Sequence, residues 1–194
     1  MPFRRGFKSQ CERRSVEFRR ELGLKNTEAL GAFALANKLQ VTVRSTNDVG
    51  GIDAATLSVL NDETDDSWSA FTLRVKTSNL VVFKPVSSNA RVNSVVMHEL
   101  SHIILGHQLA QACVYQDGSL APGNFDQDQE NEADWLAGTL LLPRPALLFI
   151  KRNHLTDAAA CKKYQVSQSM LNWRVRMTGV DYQVKRSKKN IIDM

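Results

Sequence analysis

The eleven residues Met97–His107, which read MHELSHIILGH, constrain this chain of 194 residues more than any other stretch. They hold three of its four histidines and place a glutamate directly after the first. The apolar residues of Asn89–Gly106 recur at helical spacing, and Gly106 is placed to end the helix. His98 and His102, four residues apart, then lie on one helix face about one turn apart. The stretch predicts a helix that offers two imidazoles to one ion.

The HExxH pattern also predicts chemistry. Two imidazoles at this spacing can reach one metal ion at about 2.0–2.1 Å. Glu99 points off that axis, where it can act as general base toward a water that the metal activates. Burying two histidines and a carboxylate in an apolar helix is costly without a partner, so we interpret the motif as a metal site. Zinc is the expected metal, although manganese also suits two histidines and a carboxylate.

A third protein ligand is needed, and the residues alone leave its identity open. His107 is one residue out of register for the longer HExxHxxGxxH pattern, and on a helix it lies about 140° round from His102. We therefore expect it at the helix end or beside a ligand. Glu130 and Glu132 flank the apolar stripe of the next predicted helix on opposite edges, so periodicity does not choose between them. Asp134, four residues after Glu130, can orient a ligating histidine.

The rest of the chain predicts an α+β fold that is mostly helical. A small sheet of three short strands is predicted at VTV, WSAFTLRV and NLVVFKP. Further helices are predicted at 11–22, at 28–39 after a Thr27 cap, and at 130–142 before Pro143. A helix-turn-helix-like pair is predicted after them, in which Ser167 caps the second helix and Gly179 ends it. We expect a catalytic zincin-type domain at 1–150, the helix-turn-helix-like element at 151–182 packed on it, and a disordered basic tail at 183–194.

Composition and cysteine content indicate the cellular compartment that we expect. The start of the chain is basic and polar, and no apolar run approaches 18 residues, so neither a secretion signal nor a membrane span is expected. Cys11, Cys113 and Cys161 are an odd number with no CxxC pair, which favours a reducing cytoplasm over a disulfide framework.

Charge is unevenly distributed along the chain. Residues 1–44 carry +6, residues 45–143 carry −9 and residues 144–194 carry +8. Basic ends of this kind are either self-solvating helices or a polyanion-binding face, and the sequence does not decide between them. The candidate phosphate-binding residues are Arg4, Arg5, Arg13, Arg14, Arg19 and Arg20 at one end and the run Lys185–Lys189 at the other.

Two motifs together resemble the ImmA/IrrE family of metallopeptidases. VVMHELSHIILGH is similar to that family's HExxH helix, and ENEADWLAGTLLLP is similar to its second motif about thirty residues later. Ser101 stands where the family often has glycine. In this alignment Glu132 is the third metal ligand, beside His98 and His102, and the resemblance implies a gluzincin-like zinc peptidase.

The resemblance also implies a substrate and a setting. Members are cytoplasmic proteases encoded beside helix-turn-helix repressors, which they cleave after DNA damage or phage signals. We therefore expect such a repressor as the protein partner and substrate, and single-stranded DNA as an activator. The alternative is a DNA-binding regulator whose metal site is structural or catalytically silent.

Three further hypotheses concern single residues. Cys113 lies between the two metal motifs, so its thiolate can be an inhibitory metal ligand, or it can be a buried small residue. Arg174 and Arg176 on the second helix of the helix-turn-helix-like element can contact DNA, although we favour packing or substrate docking for that element. Tyr115 and His107 are candidates for stabilising an oxyanion.

Overall fold

The computed structural model describes residues 3–62, 64, 68–75, 77–86, 88–108, 113–114, 120–121 and 126–192. At 113–114, 120–121 and 188–192 it describes the backbone alone. The described residues group into two compact units, Ala32–Ala137 and Pro2–Gly31 with Gly138–Met194.

Nine α-helices and five strands lie within these described ranges. The helices are α1 Phe7–Glu21, α2 Ala32–Lys38, α3 Ala54–Leu60, α4 Asn89–Leu105, α5 Gln127–Leu141, α6 Arg144–Arg152, α7 Asp157–Tyr164, α8 Gln168–Thr178 and α9 Val180–Ile192. The strands are β1 Thr42–Ser45, β2 Ala70–Val75, β3 Ser78–Phe83, β4 Cys113–Val114 and β5 Leu120–Ala121. The α+β prediction is confirmed.

The unit Ala32–Ala137 is built on a three-stranded sheet in the order β1-β3-β2. β1 runs parallel to β3, with Val43 opposite Val81, and β2 runs antiparallel to β3, with Thr72 opposite Val81. Helix α4 packs against β2, β3 and α2. Val81 of the sheet and Val96 and Leu100 of α4 are fully buried, so the apolar face predicted for this helix forms part of the core.

Local signals fix both ends of α4. The Ser88 side chain accepts a hydrogen bond from the backbone N–H of Arg91, which caps the first turn. Gly106 ends the helix in the left-handed region at φ 71°, where a residue without a Cβ is favoured. The predicted bounds of this helix are therefore confirmed.

Two short helices near the N-terminus differ from prediction. The second helix begins at Ala32, whereas the sequence predicted a start just after Thr27. Thr27 lies before the helix, and its carbonyl accepts a hydrogen bond from the Tyr164 hydroxyl. Helix α3 was not predicted, and it buries none of its residues. Its one local signal is Asp53, whose carboxylate caps the Thr56 N–H.

The unit Pro2–Gly31 with Gly138–Met194 is helical, with α1 beside the C-terminal helices. Helices α7 and α8 form the predicted pair, with Ser167 capping α8 and Gly179 ending it. The basic tail was expected to be disordered, but α9 continues to Ile192. The proposed boundaries 1–150, 151–182 and 183–194 stay a prediction, although the contacts place α1 in the same unit as α7 and α8.

Two arginines of this unit are fully buried. Arg19 donates to the carbonyls of Glu28 at 2.9 Å and Leu140 at 2.8 Å. Arg174 donates to the Leu142 carbonyl at 3.1 Å and to the Glu12 carboxylate at 2.9 Å. Both were candidates for contact with DNA, and burial removes them from that role.

No single helix in the described part of the chain is long and apolar enough to cross a membrane. One bent pair, Gln127–Leu141 with Arg144–Arg152, passes the same criteria by length and composition alone.

Candidate metal centre

Helix α4 brings its two motif histidines together as predicted. His98 and His102 lie one turn apart, and their Nε2 atoms are 3.0 Å from each other. Their side chains are 24% and 12% exposed, so both imidazoles are mostly buried but still reach solvent.

Glu130 of α5 completes the cluster. Its Oε2 lies 3.1 Å from His98 Nε2, and its Oε1 lies 3.5 Å from His102 Nε2. These separations bracket about 3.3 Å, which is the edge of a tetrahedron with metal–ligand bonds of ~2.0–2.1 Å. The three donors thus fit one face of a tetrahedral site. Two imidazoles and one carboxylate are also the donor set that zinc accepts in sites with an open fourth position.

The family alignment selected Glu132 as the third ligand, whereas the structure places Glu130 beside His98 and His102. Glu132 lies against His107, with 3.3 Å between Glu132 Oε2 and His107 Nε2. Residues two apart on a helix point about 200° apart, so only one of the two glutamates can reach the histidines. The structure brings Glu130 there and corrects the prediction of Glu132 as the residue beside His98 and His102.

His107 lies just past the end of α4, as expected. Its Nδ1 is 3.0 Å from His102 Nδ1, and its side chain is only 7% exposed. Burial lowers the pKa of His107, against the raising effect of its hydrogen bond with Glu132. The imidazole is therefore neutral near pH 7.

Carboxylates set the electrostatics around His98. Its Nδ1 donates to Asp134 Oδ1 at 2.9 Å, which is the orienting contact that the spacing suggested. Burial lowers the pKa of His98, but the hydrogen bonds of Asp134 and Glu130 outweigh it and raise that pKa to about 10. Hydrogen bonds from His102 and His98 hold the pKa of the Glu130 carboxyl well below its usual range. The site therefore presents an ionised carboxylate to a cation.

Glu99 is held by a residue that sequence reasoning missed. Thr72 on β2 donates its hydroxyl to Glu99 Oε2 at 2.7 Å, and Thr72 is only 5% exposed. The two residues are 27 positions apart, so nothing in the local sequence pairs them. The alternation of β2 was the available signal, since it places Thr72 on one defined face of the sheet.

Other candidates stay predictions. The backbone of Cys113 pairs with Ala121, but its side chain lies outside the described residues, and so does Tyr115. The inhibitory role of Cys113 and the oxyanion role of Tyr115 are therefore untested by the geometry.

Comparison with known proteins adds one match. The peptidase family model described as IrrE N-terminal-like domain matches residues 59–176, which is more than half of the chain and includes both metal motifs. A search of curated proteins finds no match.

Proposed function

Because the chain belongs to the IrrE N-terminal-like family of metallopeptidases, we propose that it is a zinc-dependent endopeptidase with His98, His102 and Glu130 as metal ligands and Glu99 as general base. The observation that carries this proposal is the convergence of three donor atoms within 4.8 Å of one another, two of them on the helix that bears Glu99 and the third, from Glu130, on α5. The membership fits the resemblance drawn from the two motifs.

The residues of the site support peptide hydrolysis. A zinc ion held by His98, His102 and Glu130 would supply Lewis acidity and would lower the pKa of a water molecule that it binds to about 7. Glu99 would accept the proton that the attacking water loses as its oxygen bonds to the peptide carbonyl carbon, and would return that proton to the leaving amine as the C–N bond breaks. Thr72 fixes one oxygen of this carboxylate at 2.7 Å, so the other remains available for proton transfer.

Strand β2 supports an extended peptide as substrate. It is an edge strand, since β3 is its only strand neighbour among the described residues. An edge strand presents unpaired N–H and C=O groups that an added peptide strand can satisfy. Thr72 connects this strand to Glu99, so a peptide paired with β2 lies beside the proposed base.

We further propose that the substrate is a helix-turn-helix repressor and that a DNA-damage or phage signal triggers its cleavage. The family resemblance supports this proposal. The test is incubation of the protein with the repressor encoded beside its gene, with zinc or with a chelator. We expect cleavage with zinc only, and a loss of about 10²–10⁴-fold in Glu99→Gln. Cleavage by Glu99→Gln at the wild-type rate overturns the proposal, provided zinc content and folding are unchanged.

Single-stranded DNA is the proposed activator. The unit Pro2–Gly31 with Gly138–Met194 carries 19 Lys/Arg against 7 Asp/Glu, whereas Ala32–Ala137 carries 6 against 13. Phosphate contacts by lysine and arginine weaken steeply with salt. We expect oligonucleotide binding that falls with salt and weakens in Arg13→Glu, where the side chain is exposed. Absent or salt-insensitive binding overturns this part of the proposal.

The alternative is a DNA-binding regulator with a structural or silent metal site. Such a closed site has four protein ligands and gives Glu99 no role. The described residues bring three donors together, and the buried Arg174 is not available to DNA. Both observations favour the peptidase.

A further inference from the structure

An exposed arginine follows Thr72 on the same face of the sheet. Alternate residues of a strand share a face, so Arg74 lies on the face where Thr72 contacts Glu99. Thr72 is 5% exposed, whereas Arg74 is open to solvent. Within the described part of the chain, no hydrogen bond or ion pair holds the Arg74 guanidinium. The chemistry proposed above gives this side chain no role.

Two contacts fix the direction of β2 along α4. Arg91, in the first turn of α4, donates to the Ser69 hydroxyl at 3.1 Å, just before β2 begins. Two turns later, Glu99 accepts from Thr72 at 2.7 Å. The strand and the helix therefore run in the same direction. Two residues of strand span about 6.6 Å, or about four residues of helix, so Arg74 lies about one helical turn beyond Glu99, toward the second motif histidine.

Asn79 lies directly opposite Arg74, on β3. Side chains of directly opposed residues share a face of the sheet, with their Cβ atoms about 4.5–5.5 Å apart. The Asn79 Oδ1 atom is buried and accepts no hydrogen bond from any described residue. A buried acceptor without a donor is costly. The Arg74 guanidinium is the nearest cationic donor along this register, so the two side chains are suited to act together.

The guanidinium can satisfy Asn79 and a ligand at the same time. Arginine presents five N–H donors in a planar fork, and two of them match both oxygens of one carboxylate. A further donor remains for Asn79 Oδ1, and that bond would hold the fork in one orientation. The pair is therefore built to recognise a carboxylate.

The charge around the candidate metal centre makes this recognition selective. Glu99, Glu130 and Asp134 are carboxylates of the centre, and Ala32–Ala137 carries 6 Lys/Arg against 13 Asp/Glu. Such a unit attracts cationic peptides and repels anionic ones. Arg74 places a positive charge beside the centre, so it reverses that preference at one position of a bound peptide.

A peptide paired with the free edge of β2 would bring its side chains to these residues. The peptide residue beside Thr72 would lie near the proposed base, and the residue two positions along would lie beside Arg74. We propose that Arg74, oriented by Asn79, binds a carboxylate of the peptide substrate, from an Asp or Glu side chain or from the chain's C-terminus. This inference rests on the proposed function and names the charge that the site selects.

The first test is peptide binding, which needs no catalysis. Three probes are β-forming peptides, acetylated and amidated, that differ only in a central Glu, Gln or Lys. The fourth is the Gln peptide with a free C-terminal carboxylate. Binding to the zinc-loaded full chain of Glu99→Gln is measured by fluorescence anisotropy. We expect a carboxylate to tighten binding about 10-fold over the amidated Gln peptide, and the peptide that gains identifies the source. No gain from either carboxylate overturns the inference.

Charge reversal in the same background sharpens the test. In Arg74→Glu the preference should pass to the Lys peptide, and in Asn79→Ala the preference for a carboxylate should weaken while the Gln peptide binds as before. The matched control is Arg44→Glu, which reverses an exposed arginine on β1, at the other edge of the sheet. It should keep the original preference. Equal shifts in the two charge reversals would show an effect of net charge and overturn the subsite.

The outcomes separate the subsite from the peptidase. If the wild-type protein with zinc cleaves no repressor, the proposed function fails, and the peptide preference still decides the role of Arg74. If it cleaves the repressor but Arg74→Glu leaves the peptide preference unchanged, the subsite is overturned and the peptidase stands. If Arg74→Glu does not fold, Arg74→Gln decides: loss of the preference supports the subsite, and its retention overturns it.

Discussion

At the scale of single residues, the contact between Thr72 and Glu99 decides how the proposed base is held. Thr72→Val removes the donated hydrogen bond while keeping a β-branched side chain in β2. A hydrogen bond to a charged group contributes about 1.5–3 kcal/mol, so we expect kcat/KM to fall roughly 10–100-fold. Zinc affinity should not change, since Thr72 contacts no ligand. The kinetics of repressor cleavage measure this effect. Thr72→Ser is the control variant: it keeps the hydroxyl, so we expect it to keep the activity.

Two arginines on α8 give a matched pair for stability. Arg174 is fully buried and bound to Glu12, whereas Arg176, two residues on, is exposed. Removing one partner of a buried ion pair costs about 3–5 kcal/mol, so Arg174→Ala should lower the free energy of unfolding by that much. Arg176→Ala should change it by about 0.5 kcal/mol or less. Urea unfolding measures both, and equal effects would contradict the burial of Arg174.

The Tyr164 hydroxyl gives a pH prediction. Burial raises the pKa of Tyr164, whose hydroxyl donates to the Thr27 carbonyl at 2.6 Å. The neutral phenol therefore contributes stability that is fully present below the unfolded pKa of about 10 and is lost as pH rises through the higher folded pKa. Absorbance titration should show one phenol that ionises above the usual range, since burial raises the pKa of Tyr164. Tyr164→Phe should remove that late component, and a late component that persists in this variant would contradict the prediction.

At the scale of elements, α5 and α8 meet at Gly138. A Cβ there would lie 2.4 Å from the Trp173 ring, so Gly138→Ala forces the ring to move. Overpacking of this kind costs about 1–3 kcal/mol. Gly31→Ala is the matched control, because nothing lies within 4 Å of the added Cβ there. Thermal unfolding should therefore separate the two substitutions, with only the first lowering Tm.

Elements with local signals were predictable from the sequence. The ends of α4 and α8 follow from Gly106, Ser167 and Gly179, whose caps act within one turn. Helix α3 was missed because its face is not buried, and the parallel pairing of β1 with β3 depends on a long connection that no local pattern records.

The candidate site was likewise predictable only where the geometry depends on a single element. The spacing of His98 and His102 is a property of one helix, so the sequence sufficed. The third ligand depends on the rotation of α5 against α4, which periodicity leaves symmetric between Glu130 and Glu132. The family alignment favoured Glu132, and the observed rotation of the helix favours Glu130.

At the scale of the whole molecule, metal binding should couple to folding. The three donor residues all lie in Ala32–Ala137, so zinc should stabilise that unit. At about 100 times its Kd, zinc adds about 2.7 kcal/mol to the free energy of unfolding. Calorimetry with zinc and with chelator measures the effect, which should vanish in His98→Ala. If two transitions appear, only one should respond to zinc.

The end of α5 has a consequence for anyone who wants a shorter protein. Pro143 stops this helix, and its last carbonyls are bound by side chains: Ser15 binds the Thr139 carbonyl and Arg19 that of Leu140. The family match begins at residue 59, so a fragment cut to the matched region discards both donors. It would remove both side-chain donors from the end of the helix that carries Glu130. The shortest autonomous version of this protein is therefore longer than its recognisable family signature.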